Sequence, residues 1–412
     1  MLKCFFSNRY AGRSDLFEGL SIWKEEKYRE LQGQYPVIFL SFANVKEGNA
    51  EAAKMQMKAL IARMYEENRF LLEGNLLSEN EKKMYRNVTI YMSDVEAVIA
   101  ISTMCMYLER CYGKKSIILL DEYDTPMQEA YIYGYWEEFT GFMRSLFNAT
   151  FKTNPYLERA VMTGITRVSK ESLFSDLNNL RVVTVTSEPY NTCFGFTEEE
   201  VKTLCDQYHR DFEKVKRWYD GYLLENCQVY NPKAVVEVLR WNKYQSYWSR
   251  TGTYDAIVPL INMDFDGLKT AVITMLSGSS VEVDVSCFQN DMINFSSKDD
   301  VLTYLIHLGY LGYDQNTQSA FIPNEELRQE LTAATRRKRW DEMMAFQAAS
   351  DQLLDATLDL DTETVADEIE KIHSSYTSVI TYHDENSLSS VLTIAYLSSM
   401  KYSFKPIREL PT

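Results

Sequence analysis

One stretch of the chain limits the possible folds more than any other. Residues 117–120 are Ile-Ile-Leu-Leu, and Asp121 and Glu122 come directly after this apolar run. A short continuous apolar run bounded by polar residues is typical of a strand that is buried on both faces of a parallel sheet. The sequence therefore predicts a central strand with two carboxylates at its carboxyl end.

Strand and helix patterns alternate through the first half of the chain. Gly113 ends the helical pattern before the acidic strand, because glycine readily takes the left-handed backbone of a helix C-terminus. The alternation predicts a parallel three-layer α/β domain. The predicted order is strand 35–42, helix 49–72, helix 93–110, strand 116–120, an amphipathic helix around 139–147, and strand 159–165.

The second half of the chain has a different pattern. Thr197 with Glu200 predicts a capping box, and Asn231 with Pro232 predicts another helix start. Helices followed by a hairpin near 309–323 indicate a winged-helix-like module, but its would-be recognition helix has one lysine and two aspartates, which favours packing over DNA binding. We predict an α/β core over 1–195, a helical lid and winged-helix-like region over 196–331, and linker helices leading into a C-terminal domain over 332–412.

Charge and composition exclude several classes of function. A formal net charge of −16 and a pI near 4.9 oppose non-specific attraction to nucleic-acid phosphates and anionic lipids. The basic run at 336–339 lies among acidic residues and predicts a solvated helix face. The seven cysteines form no C-x-x-C pair, which indicates a reducing compartment, and no apolar run approaches the ~20 residues that span a bilayer. We therefore predict a cytoplasmic protein with no membrane partner.

The end of the acidic strand has a specific chemical interpretation. In P-loop ATPases an apolar strand that ends in Asp-Glu, the Walker B motif, presents a magnesium ligand and a carboxylate that orients the attacking water. On this interpretation Asp121 holds Mg²⁺ through water and Glu122 polarises the attacking water. The phosphate-binding loop of such a site, G-x-x-x-x-G-K-[ST], has no match in the 412 residues. The superficially similar run at 113–116 lacks the first glycine and precedes a strand, so we reject it.

Two residues near the next predicted strand are candidates for the same site. Thr163 lies near the end of strand 159–165, where related ATPases place a residue that contacts the γ-phosphate or water. Alternatively, its hydroxyl only satisfies a strand end. Arg167 follows it and could face phosphate or a neighbouring subunit as an arginine finger, or it could form a surface salt bridge.

Several longer segments of the chain are similar to segments of one bacterial family. They are YPVIFLSF, IILLDEYDTPMQEAY, TGITRVSKESLFSDLNNL, FGFTEEEV, WYDGY, YNPKAV and YHDENSLSSVLTIAYL. On these segments the chain resembles AAA-ATPase-like proteins with a C-terminal PD-(D/E)XK nuclease-like domain. The resemblance implies a P-loop ATPase fold, ATP and Mg²⁺ as cofactors, and nucleic acid as a partner of the complete nuclease-like domain. It also implies a Mg²⁺ ligand at Asp121 and catalytic roles for Glu122, Thr163 and Arg167.

The resemblance also implies missing parts. In the family an arginine-rich P-loop precedes a segment like MLKCFFSNRY, and a strand aspartate and an E-x-K motif follow a segment like IRELPT. Of the nuclease metal site only Glu385 is matched, and Asp384 or Asn386 beside it could instead cap the following helix. We therefore expect an internal piece, truncated at both ends, that is inactive alone in ATP hydrolysis and DNA cleavage.

Two alternatives remain open at this point. The chain could be an active ATPase and nuclease that is split or misannotated and is completed by the missing segments. It could instead be a non-enzymatic interaction module that binds partners through its 28 tyrosines and the predicted lid. In either case, an incomplete sheet would expose an edge or an apolar groove and favour self-association.

Overall fold

The computed structural model describes most of the chain, which divides into two compact units. The first unit comprises residues 1–182 with 289–294, and the second comprises 183–288 with 295–412. The predicted domain boundaries after 195 and after 331 stay predictions. The described residues are 1–165, 180–184, 190, 192–224, 227–247, 260–261, 263, 265, 267–285, 295–337, 350 and 352–376.

The first unit alternates strands with helices, as the hydrophobic pattern predicts. It has three strands and seven α-helices within its described residues. In chain order these are α1 Leu2–Phe6, α2 Glu26–Arg29, β1 Val37–Ser41, α3 Ala50–Glu67, α4 Glu79–Asn87, α5 Asp94–Tyr112, β2 Ser116–Asp121, α6 Thr125–Ile132, α7 Trp136–Phe147 and β3 Leu157–Met162.

Local sequence signals set the ends of the helix that leads into the acidic strand. At the start of α5, the Ser93 hydroxyl accepts a hydrogen bond from the Glu96 N–H, and the Glu96 carboxylate accepts one from the Ser93 N–H. This reciprocal capping box satisfies two N–H groups that the helix leaves without partners. At the other end, Gly113 has φ 66° and takes the left-handed backbone that stops the helix.

The three strands form a parallel sheet with β2 in the centre. The order is β1-β2-β3, and the register pairs Ser41 with Asp121 and Leu120 with Met162. The parallel sheet and its many helices agree with the predicted P-loop-like α/β fold at this coarse level. Among the described residues β3 lies at the edge of the sheet.

The two faces of this sheet have different surroundings. Ile38, Leu40, Ile118 and Leu120 alternate along β1 and β2 and belong to a core that also contains buried residues of α3, α5 and α7. On the opposite face Phe39 and Val161 are 42% and 41% exposed. The Lys3 Nζ of α1 lies 5.2 Å from the centroid of the Phe39 ring. The second helical layer of the predicted three-layer arrangement stays a prediction.

The second unit is built from helices and short antiparallel strands. The elements are β4 Phe196–Thr197, α8 Glu198–Tyr208, α9 Phe212–Tyr219, β5 Tyr222–Leu224, β6 Cys227–Tyr230, α10 Pro232–Trp241, α11 Leu268–Leu276, β7 Val281–Glu282, α12 Lys298–His307, β8 Gly312–Asp314, β9 Ser319–Phe321, α13 Glu325–Arg337 and α14 Thr362–Tyr376. The described strands form two three-stranded sheets, β4-β6-β5 and β7-β9-β8.

The two predicted helix starts of this unit are present. Thr197 and Glu200 form a reciprocal capping box at α8, and the Asn231 side chain accepts hydrogen bonds from two N–H groups at the start of α10. Helix α12 followed by the β8–β9 hairpin matches the predicted order of elements, while the winged-helix-like assignment stays a prediction. In the part of the chain that the structure describes, no helix is both long and apolar enough to cross a bilayer.

Candidate magnesium site at the carboxyl end of the parallel sheet

Three oxygen-bearing side chains form a row across the carboxyl ends of the three strands. The Thr163 hydroxyl donates a hydrogen bond of 2.6 Å to Oδ1 of Asp121. On the other side, the Ser41 hydroxyl lies 3.5 Å from Oδ2 of the same carboxylate. Asp121 and Ser41 are half-buried and Thr163 is exposed, so the row remains open to solvent on one side.

Backbone hydrogen bonds continue the sheet through this row. The Phe42 N–H donates to the Asp121 carbonyl at 2.9 Å, and the Thr163 N–H donates to the Leu120 carbonyl at 2.9 Å. The Tyr123 N–H then donates to the Thr163 carbonyl at 3.0 Å. The Asp121 side chain therefore projects from backbone that is fixed on both sides.

Glu122 occupies an unusual turn between β2 and α6. Its φ of 49° lies in the left-handed region, which non-glycine residues adopt rarely and at an energetic cost. The Thr125 hydroxyl donates to Oε2 of Glu122 at 3.2 Å, and Pro126 occupies the first turn of α6. The turn thus ends the strand immediately after Asp121 and holds the Glu122 carboxylate beside the start of a helix.

The Asp124 side chain is buried next to this turn. It is 1% exposed, and its Oδ2 accepts a hydrogen bond from Nε2 of Gln128 at 2.9 Å. A Cβ atom at Gly164 would lie 2.5 Å from Oδ1 of Asp124, closer than real Cβ contacts. Glycine at 164 therefore lets the loop after β3 pack directly against the turn after β2.

The donor set of this row suits magnesium better than a transition metal. Within the described ranges, no three His, Cys, Asp or Glu side chains come together as a metal-binding group. Mg²⁺ prefers oxygen ligands and usually keeps several waters, with one or two carboxylates and substrate phosphates completing its shell. A carboxylate flanked by two hydroxyls fits a hydrated Mg²⁺ of this kind.

The structure brings together some of the residues that the sequence predicts. Asp121 and Thr163 are in contact, and Glu122 lies in the adjoining turn. Arg167 and Glu385 lie outside the described residues. The roles assigned to all five stay predictions, and the contact with Asp121 agrees with the alternative that Thr163 satisfies a partner at a strand end.

Sequence reasoning missed Ser41. A serine at the end of an apolar run is common, so it carries no local signal of function. Its position opposite Asp121 depends on how two strands pair across a separation of 80 residues. The sequence offered one indication of this contact: the apolar runs that end near Ser41 and at Asp121 both finish with an oxygen-bearing side chain.

These features define an α/β protein with acidic and hydroxyl groups at the carboxyl end of a parallel sheet, and residues 1–174 match a protein family described as Predicted AAA-ATPase. Residues 1–174 are therefore similar to the proteins of this family. The matched residues include Asp121, Glu122, Thr163 and Arg167, but not Glu385.

One curated relative has no described activity. A protein of Azotobacter chroococcum mcd 1, described as an uncharacterized protein in the vnfD 5′ region, is 25% identical over 255 residues. The match covers 61% of this chain and 45% of that protein, so it spans about half the length of the relative. No solved structure matches the chain.

Proposed function

We propose that the first unit is the magnesium-binding part of an ATP-hydrolysing core of the AAA-ATPase type. In this proposal Asp121 binds Mg²⁺ through water and Glu122 orients the water that attacks the γ-phosphate. The proposal rests mainly on the Asp121 carboxylate at the carboxyl end of β2, which accepts a 2.6 Å hydrogen bond from the Thr163 hydroxyl and lies 3.5 Å from the Ser41 hydroxyl. The family match over residues 1–174 supports it.

The side chains of the row have distinct tasks in this proposal. A bound Mg²⁺ would neutralise charge on the phosphate oxygens. The hydrogen bond from Thr163 fixes the orientation of the Asp121 carboxylate, so its remaining lone pairs can accept hydrogen bonds from magnesium-bound water. Glu122, whose carboxylate now accepts the Thr125 hydroxyl, would instead accept a proton of the attacking water.

Phosphate binding is the part of the reaction that these residues do not supply. A P-loop offers backbone N–H groups and a lysine, and no G-x-x-x-x-G-K-[ST] sequence occurs in the 412 residues. In the part of the chain that the structure describes, no lysine or arginine forms an ion pair with Asp121 or Glu122. We propose that the 412 residues bind Mg²⁺ but do not hydrolyse ATP unless a phosphate-binding segment is added.

The C-terminal part of the proposal rests on the sequence resemblance alone. Residues 332–412 would lead into a PD-(D/E)XK nuclease-like domain, with Glu385 as one acid of its metal site and nucleic acid as the partner of the complete domain. These 412 residues would not cleave DNA, because Glu385 is the only matched acid of the nuclease metal site. The complete domain would add the other carboxylates and the lysine that metal-dependent phosphodiester cleavage needs. Nuclease activity that is lost in Glu385→Gln would contradict this expectation.

Calorimetry of the purified chain tests the ATPase part of the proposal. Mg²⁺ and then ATP with Mg²⁺ are titrated into the wild type, into Asp121→Asn, and into Asp367→Asn, which removes an exposed carboxylate from α14 as the matched control. We expect magnesium binding that disappears only in Asp121→Asn, with no release of phosphate from ATP. Magnesium binding that survives in Asp121→Asn would refute the proposed site, and ATP turnover by the wild type would favour the alternative of an active enzyme.

A further inference from the structure

We infer that Ser41 is a positioning residue of the magnesium site, and that its hydroxyl contacts the hydration shell of the ion from the β1 side of Asp121. This inference rests on the proposed function and adds a residue to it. Ser41 belongs neither to the acidic strand motif at 117–122 nor to the strand that carries Thr163. Three adjacent strands would then contribute one oxygen-bearing side chain each.

The register of the sheet places these three side chains on the same face. Ser41 pairs directly with Asp121 across β1 and β2. Leu120 pairs with Met162 across β2 and β3, so Asp121 and Thr163 are the next residues of that ladder. Side chains of paired residues lie on the same face of a sheet because alternate residues point to opposite faces. The row is therefore set by strand pairing and does not depend on one flexible loop.

The two hydroxyls contact Asp121 unequally. The Thr163 contact of 2.6 Å is a short hydrogen bond to an ionisable acceptor. The Ser41 contact of 3.5 Å lies at the outer limit of hydrogen bonding and contributes little on its own. The Ser41 side chain makes no other hydrogen bond among the described residues. Its hydroxyl can therefore rotate and bond to water at the row without breaking a strong contact.

The spacing of the row agrees with a hydrated ion. Ser41 and Thr163 lie on the two outer strands, which are separated by two strand spacings, or about 9.6 Å, whereas two oxygens that coordinate one Mg²⁺ at about 2.1 Å lie at most about 4.2 Å apart. The two hydroxyls therefore do not both coordinate the same Mg²⁺ directly, although each lies near an oxygen of Asp121. They can instead bond to different waters of the same hydrated ion, since each water reaches about 2.8 Å further. The row contains a single carboxylate, which provides few direct ligands. This also indicates that the ion keeps most of its water ligands.

Manganese binding measures this role without requiring ATP turnover. Free Mn²⁺ is quantified by electron paramagnetic resonance in the full chain, in Ser41→Ala and in Ser41→Thr, which restores the hydroxyl and suits a strand. The Asp121→Asn variant tests whether the measured Mn²⁺ binding occurs at Asp121. Ser102→Ala is the matched control, because it removes a half-buried hydroxyl from α5 that bonds only to a backbone carbonyl.

We expect Ser41→Ala to weaken Mn²⁺ binding about fivefold, the effect of losing roughly one hydrogen bond. The Mn²⁺ affinity of Ser41→Thr should be within about twofold of the wild-type affinity, and that of Ser102→Ala should equal it. Cobalt hexammine, whose ligands do not exchange, should displace Mn²⁺ from the wild type because it mimics a fully hydrated ion.

The outcomes separate this inference from the proposed function. If Ser41→Ala binds Mn²⁺ normally while Asp121→Asn does not, the role of Ser41 is wrong and the magnesium site stands. If cobalt hexammine does not compete, the ion is coordinated directly and the water-mediated role of Ser41 is wrong. If the wild type does not bind Mn²⁺ at millimolar concentrations, both the proposed site and the role of Ser41 are wrong.

Discussion

The Thr163 hydroxyl donates a 2.6 Å hydrogen bond to Oδ1 of Asp121 and so joins the ends of two strands that are 42 residues apart in the sequence. This contact affects how Thr163 can act. In the observed arrangement its proton is directed to the carboxylate, so a direct donation to phosphate would require the hydroxyl to rotate away. Thr163 can therefore orient the Asp121 carboxylate, the proposed magnesium ligand, in the absence of nucleotide.

The first prediction concerns this hydroxyl. Thr163→Val keeps the shape of the side chain but removes the donor, while Thr163→Ser keeps the donor. Hydrogen bonds to charged groups contribute about 1.5–3 kcal/mol, so we expect Thr163→Val to weaken Mn²⁺ binding on the order of tenfold and Thr163→Ser to have little effect. Thr153→Val, at another exposed hydroxyl, is the control. Equal Mn²⁺ affinity in Thr163→Val and the wild type would show that the contact does not orient the ligand.

The second prediction concerns the close packing of Gly164 against Asp124. A methyl group at 164 would lie 2.5 Å from Oδ1 of Asp124, so the loop after β3 must move away. We expect Gly164→Ala to lower the free energy of unfolding by about 1–3 kcal/mol, as overpacking usually does. Urea unfolding measures the change.

Gly141 provides the matched control for that substitution. It lies inside α7, and a Cβ there would meet nothing within 4 Å. Gly141→Ala should therefore leave stability unchanged or raise it by about 0.5–1 kcal/mol, because alanine favours a helix. Equal effects of the two substitutions would contradict the packing argument.

The third prediction concerns the acid stability of the first unit. At the start of α4, hydrogen bonds from the Ser78 N–H, from Arg110 and from the Ser78 hydroxyl lower the pKa of Glu81 to about 2. The pKa of a glutamate in the unfolded chain is about 4.3, so Glu81 stabilises the fold above that pH. This stabilisation is lost as the pH falls from about 4.3 toward about 2.

Glu81→Gln should remove this part of the pH dependence. The variant should unfold more easily than the wild type at pH 7, and the difference between them should shrink as the pH falls toward 3. Urea unfolding at pH 7, 5 and 3 measures it. Glu138→Gln, at an exposed position of α7, is the control. A difference that stays constant over this range would exclude Glu81 as a source of the pH dependence.

The fourth prediction concerns self-association. Among the described residues β3 is an edge strand, and exposed strand edges readily pair with other chains. Val161 is 41% exposed on this strand. We expect concentration-dependent association in analytical ultracentrifugation, reduced in Val161→Lys because a charge on an edge strand opposes pairing.

A second exposed valine distinguishes the strand edge from general surface hydrophobicity. Val95 is 73% exposed on α5, and Val95→Lys makes the same chemical change away from the sheet edge. The Val95→Lys variant should associate at the same concentrations as the wild type. A chain that stays monomeric at high concentration, or an equal effect of both lysines, would contradict association through β3.

Local signals were sufficient for much of the fold. Ser93 and Gly113 mark the two ends of α5, and Thr197 marks the start of α8, because caps involve residues only a few positions apart. The run at 117–120 identified the central strand because a strand buried on both faces has few polar residues.

Other features depend on pairing or context that the sequence does not display. The contact of Ser41 with Asp121 follows from the register of two strands that are far apart in the chain. The left-handed backbone of Glu122 has no sequence signal, since glycine or asparagine normally marks such a position. The mutual fit of Gly164 and Asp124 likewise arises only when the loops after β2 and β3 meet.

The alternation of side chains along the sheet links folding accuracy to chemistry. Ser41, Asp121 and Thr163 lie on the same face as Phe39, Leu119 and Val161, while Met162 and Leu120 lie toward the core. A shift of β3 by one residue would turn Thr163 toward the core and Met162 toward Asp121. Such a chain would bury the Thr163 hydroxyl and would also lose the hydrogen bond from Thr163 to Asp121. Correct packing of the apolar side chains of the sheet is therefore required for the arrangement of the row.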